Sequence, residues 1–191
     1  MRRTLMIITA AAVALGGAGV ANAITTATWT LQPIASPAGA TFSGLDGVSC
    51  TAADSCTAVG DAGTSGTDAP LAEHWNGTKW SQQHASSGFV SGEFDPAHAR
   101  HVWLVVQQPV GVSCPTKTNC TAVGYYQNAS GNDITKADHW NGTVWNPQIT
   151  AAPRAGKDLS GVSCATASSC TAIGYFLNIG RQTPESLAEQ H

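Results

Sequence analysis

The 191-residue sequence is poor in charge. Asp, Glu, Lys and Arg make up 11% of it, against about 25% in an ordinary globular domain. Nine basic residues stand against twelve acidic ones, and two of the nine are Arg2 and Arg3. There is no basic run, which argues against nucleic acid as a partner, because phosphate binding needs clustered Lys and Arg. Long apolar runs are missing too. The one apolar stretch, Leu5 to Leu15, falls short of the roughly 20 residues that span a bilayer. No G-x-S-x-G, phosphate-loop or D-x-D-x-D-G pattern occurs, so the commonest serine-hydrolase, nucleotide and calcium signatures are absent. The expectation is no cofactor, no resident metal and no catalytic residue.

What is present begins at the N-terminus. Arg2 and Arg3 precede the apolar stretch, and Ala21-Asn22-Ala23 closes it as a small-x-small cleavage site. Residues 1–23 therefore read as a secretory signal peptide of bacterial type. The mature chain, 24–191, is expected to be secreted and extracellular, with no membrane span after cleavage. Its length fits a single domain. Ser, Thr, Gly and Ala fill the polar surface, while aromatic and β-branched residues remain plentiful, which suits a folded β protein better than a disordered tail.

The mature chain is a repeat. Gly47-Val48-Ser49-Cys50, Cys56-Thr57-Ala58-Val59-Gly60 and Leu71-Ala72-Glu73-His74-Trp75-Asn76-Gly77-Thr78-Lys79-Trp80 form one unit. Gly111 to Cys114, Cys120 to Gly124 and Ala137 to Trp145 repeat it, and Gly161 to Cys164, Cys170 to Gly174 and Leu187 to His191 begin it a third time. The units run over about 34–83, 109–148 and 155–191, and such periods mark an array of like modules. Six cysteines allow fifteen connectivities. Each unit carries its own C-x5-C, so the repeat selects Cys50–Cys56, Cys114–Cys120 and Cys164–Cys170, which an exported chain can oxidise.

Along each unit the pattern predicts four strands. A strand ends at the first cysteine, a five-residue turn follows (Thr51 to Ser55 in the first unit), and a second strand starts at the next cysteine. The Gly-, Thr- and Ser-rich stretch Asp61–Asp68 reads as a loop, as do Tyr125–Asp133 and Tyr175–Glu185. Asn76-Gly77 and Asn141-Gly142 read as two-residue hairpin turns with φ > 0 at both positions. That register sets Trp75 opposite Thr78, His74 opposite Lys79 and Glu73 opposite Trp80. It puts Trp75 and Trp80, and likewise Trp140 and Trp145, on one face in structural roles. Thr28-Trp29-Thr30-Leu31-Gln32 aligns with Lys79 to Gln83 and Val144 to Gln148. A lone N-terminal strand over 27–33 is therefore expected, able to complete the third unit or to join two chains as a homodimer. An insertion falls within 84–109. It holds Glu93, Asp95, His98 and His101, whose spacing is weak for a metal, and Val102 to Gln107 reads as a strand.

The pattern G-V-S-C-x5-C-x-A-[VI]-G followed by L-A-E-x-W-N-G-T-x-W resembles a repeat family of secreted bacterial proteins of unassigned function, whose units resemble β-propeller blades. The resemblance covers nearly all of 24–191 outside the insertion. It implies export and an all-β, propeller-like array of about three four-stranded antiparallel blades, and it brings no catalytic residues. A β-trefoil, also three repeats of four strands, is the alternative fold.

Function then rests on loops and register. Loops on a rigid scaffold carry binding more often than strands do. The expected ligand residues are Tyr125, Tyr126, Asp133, Asp61 and Asp68, and the expected partner is an extracellular glycan or protein. A propeller-type glycoside hydrolase or lyase would need a carboxylate pair across one cleft. Glu73, Asp138 and Glu189, the acids that repeat in register, read as structural hydrogen-bond acceptors instead. The remaining alternative is a fragment of a longer propeller.

Overall fold

A computed structural model describes residues 28–64, 67–84, 93–95, 100–102, 107–127, 131–151, 157–178 and 180–191, with the backbone alone at 67, 93–95, 100–102, 107 and 157. The expected signal peptide, 1–23, lies outside the described residues. All regular structure among the described residues is β. The first sheet holds β1 (Phe42–Ala52), β2 (Ser55–Thr64), β3 (Thr67–Trp75) and β4 (Trp80–Gln82). The insertion forms a small hairpin, β5 (Glu93–Asp95) and β6 (Arg100–Val102). The second large sheet holds β7 (Gln107–Thr116), β8 (Asn119–Gln127), β9 (Asp133–Trp140) and β10 (Trp145–Gln148). The third holds β11 (Lys157–Thr166), β12 (Ser169–Asn178) and β13 (Thr183–Gln190).

Each large sheet is an antiparallel meander in which strands pair in chain order. Each repeat unit builds its own sheet, which is the organisation of blades rather than of a trefoil. Cys50 pairs with Cys56, Cys114 with Cys120 and Cys164 with Cys170, as the repeat requires. Each disulfide joins the first two strands of its sheet beside their turn.

The sheets stack through their first strands, β1 on β7 and β7 on β11. Glycine permits this. A methyl at Gly47 would lie 2.8 Å from the Val110 carbonyl oxygen, and one at Gly111 would lie 3.2 Å from Gly161 Cα. The serine of G-V-S-C then bridges the seam. Ser49 Oγ accepts from the Cys114 N–H at 3.0 Å, and Ser113 Oγ accepts from the Cys164 N–H at 2.9 Å. Apolar side chains fill the remaining space. Val59, Ala72, Val112, Cys120, Ala122, Trp140 and Trp145 form one core between the first and second sheets. Val123, Ala137, Leu159 and Ala172 form another between the second and third.

Four local expectations are corrected. In the Asn-Gly hairpins Trp75 pairs with Trp80, His74 with Ser81 and Glu73 with Gln82, so the register moves by two. The cause is the asparagine. Asn76 Oδ1 accepts from the backbone N–H groups of Thr78 and Lys79, each at 3.0 Å, and Asn141 does the same for Thr143 and Val144. This side-chain turn needs positive φ only at Gly77 and Gly142 and makes the loop four residues long. The tryptophans become direct cross-strand partners, with ring centroids 5.7 Å apart in each pair.

The other three corrections concern strand extent. The expected five-residue turns shrink, because Ala52 pairs with Ser55 beyond a register irregularity after Cys50. The expected loops are largely ladder: Thr64 pairs with Thr67 and Gln127 with Asp133. Polar, Gly-rich sequence still satisfies its backbone by pairing when a neighbouring strand is in reach. Finally, the third sheet holds three strands of its own among the described residues, with 28–33 outside them. A strand exists only within a ladder, and the sequence pattern alone cannot supply the partner.

Candidate functional site

One register level of the three large sheets gathers the polar side chains. Asp61, Tyr125 and Tyr175 each follow the glycine of A-[VI]-G, on β2, β8 and β12. Their partners on the first strand of each sheet are Gly44, Gln108 and Asp158. Cross-strand partners share a face, so each large sheet presents one such pair at this level.

The charges at this level are electrostatically coupled. Burial raises the Tyr125 hydroxyl above the usual phenol range, and Asp133, Asp158, Tyr175 and Asp61 add to the rise. Tyr125 therefore stays protonated and donates to Gln108 Oε1. Burial likewise raises Asp158, with Asp133 second, and raises Asp61, with Asp46 and Asp68 second and third. Gln127 Nε2 donates to Asp133 Oδ1 at 3.4 Å. Asp158 Oδ1 is buried and has no hydrogen-bond partner. A buried unpaired carboxylate oxygen is costly and is an acceptor open to an incoming donor.

Of the five residues expected to bind ligand, Asp61, Asp68, Tyr125 and Asp133 fall within this electrostatic network. All of them lie on strands rather than in loops. Tyr126 follows Tyr125 on β8 and so points to the opposite face. Gln108, Asp158 and Tyr175 join the group without having been expected. Their signal in the sequence is positional, since Tyr175 and Asp61 occupy the repeat position of Tyr125, and Gln108 and Asp158 share the opposing one.

The acids that repeat in register lie elsewhere. Glu73 and Asp138 are buried. Asp138 Oδ2 lies 3.5 Å from Lys136 Nζ, two residues earlier on the same face of β9. Burial raises Asp138 to about 6 despite that cation. Glu189 Oε2 accepts from the Ala151 N–H at 3.1 Å. These are structural placements. Among the described residues no group of His, Cys, Asp and Glu is arranged to hold a metal ion. The side chains of Glu93, Asp95, His98 and His101 lie outside the described residues. Among the described residues no helix is long and apolar enough to cross a membrane. Comparison with family models and with curated proteins gives no match for this chain.

Proposed function

We propose that the chain is a secreted binding module of the bacterial repeat family that its motifs resemble, and that it takes an extracellular glycan at the Tyr125 level. The observation that carries this reading is the buried, unpaired Asp158 Oδ1 on the cross-strand partner of the exposed Tyr175. A sugar offers what the group lacks: hydroxyl donors for carboxylate oxygens and apolar C–H faces for tyrosine rings. Tyr175 is 44% exposed, so its ring is open to such stacking. Three disulfides suit an oxidising, extracellular setting, which supports export.

The test is a glycan-array screen followed by titration calorimetry on the best hit. Asp158→Asn and Tyr175→Ala are each expected to weaken binding at least tenfold without lowering the melting temperature. An array with no hit above background would overturn the reading. A second reading is favoured by the raised Asp158, whose charged form burial and then Asp133 disfavour, since a carboxyl held protonated can serve as a general acid. Product release from a bound glycan, abolished by Asp158→Asn, would establish a glycoside hydrolase or lyase in place of a binding module.

A further inference from the structure

The two seams between large sheets are built from the same repeat positions, but only one is filled. Between the first and second sheets Trp145 is fully buried at 0% exposure, in a core with Val59, Ala72, Cys120, Ala122 and Trp140. Its indole N–H donates to Gln83 Oε1 at 3.1 Å, and its backbone N–H donates to the His84 carbonyl at 3.2 Å. Between the second and third sheets the equivalent residues are Val123, Ala137, Cys170, Ala172 and His191, with Gln148 and Ile149 standing where Gln83 and His84 stand. These residues line a cavity of about 500 Å³. The cavity occupies the place that Trp145 and its strand fill one seam earlier. Beside it, β13 has no fourth strand on its outer side among the described residues.

We infer that this cavity is an acceptor for a tryptophan-bearing strand, and that its occupant is Thr28–Gln32 of a second copy of this chain. Trp29 holds the repeat position of Trp80 and Trp145. Trp29 and Leu31 are both fully exposed and, in a strand, lie on one face. Burying that face is favourable, and the open edge of β13 supplies backbone donors and acceptors.

The wiring selects a second copy over the same chain. Eight residues link Gln148 at the end of β10 to Lys157 at the start of β11, which belongs to the next sheet. Nine residues link Gln32 to Phe42 at the start of β1. Read by the same wiring, residues 28–32 are the last strand of a unit that comes before the first sheet in sequence order. The chain's own third sheet stacks on the second instead. A second copy can present its third sheet at that place in the order. Reciprocal exchange gives three plus three sheets, within the four to eight that close a propeller ring, and a two-fold closed pair rather than a filament.

The test measures solution mass of the full mature chain by light scattering. The expected mass is twice that of one chain, halved by Trp29→Ala or by Leu31→Glu. On the acceptor side His191 is exposed, lines the cavity and lies opposite the buried Cys170, so His191→Glu leaves the fold intact while placing a charge where Trp29 would pack, and it too is expected to halve the mass. Mixing Trp29→Ala with His191→Glu restores one donor and one acceptor, and a two-chain species returns. A single-chain mass for the unaltered protein overturns the proposal, whether or not Trp29→Ala lowers the melting temperature. So does a pair that survives both donor substitutions, or a mixture that stays at single-chain mass.

Discussion

At the scale of residues, buried polar groups are the sensitive points. Asp138 has a folded pKa of about 6, above its ordinary value of 3.8. The folded state therefore binds its proton more tightly than the unfolded state does. The stability from Asp138 is fully present below pH 4 and is lost as pH rises through about 6, a change on the order of 3 kcal/mol. Burial raises Glu73, Asp61 and Asp158 in the same direction. Melting temperature should thus be higher at pH 5 than at pH 8, which a calorimetric scan across that range will check. Lys136→Met removes the cation from a buried pair, which costs about 3–5 kcal/mol while the carboxylate stays charged. The loss should be large at pH 8 and smaller at pH 5; an equal loss at both would show that Asp138 is not the partner that matters. Ser113→Ala strips the acceptor from the Cys164 N–H and should lower stability by about 1–3 kcal/mol in chemical denaturation. The recurrence of that serine is plain in G-V-S-C. Its bonding partner is not, because it lies 51 residues away in the next unit.

At the scale of elements, the hairpins show where pattern and packing part. The two Trp-Asn-Gly-Thr-x-Trp hairpins are alike in sequence and in ring geometry. Their burial differs. Trp140 and Trp145 are within the seam core, whereas Trp75 and Trp80 are half-buried. Trp145→Ala should cost about 3–5 kcal/mol and Trp80→Ala less than half as much, measured as the shift in denaturant midpoint. Equal losses would mean that the tryptophans act within each hairpin rather than across the seam. The hairpin register was not legible because Asn-Gly supports both a two-residue turn and a longer one capped by the asparagine side chain. The choice rests on whether Asn76 Oδ1 takes two backbone donors, and no periodicity in the sequence records that.

At the scale of the whole molecule, stability is shared between neighbours. The sheets touch only the next in line, so the array behaves as a sum of units and seams. The second sheet is packed on both faces, and the third has one seam, which contains the cavity. Hydrogen exchange should therefore find the slowest amides in β8 and markedly faster ones in β12 and β13. Uniform protection across the three sheets would show that the array unfolds as one unit.

The sequence by itself determined the all-β class and the disulfide pairing, because each is local or repeated. A cysteine pair six residues apart and an alternating apolar pattern act within a single unit. Tertiary structure decided what lies between units. It made Ser49 and Ser113 seam bridges and filled one seam with Trp145 while leaving its counterpart a cavity. These outcomes depend on which faces of successive sheets meet, and that is fixed by packing over separations of 50 residues or more rather than by any neighbouring residue.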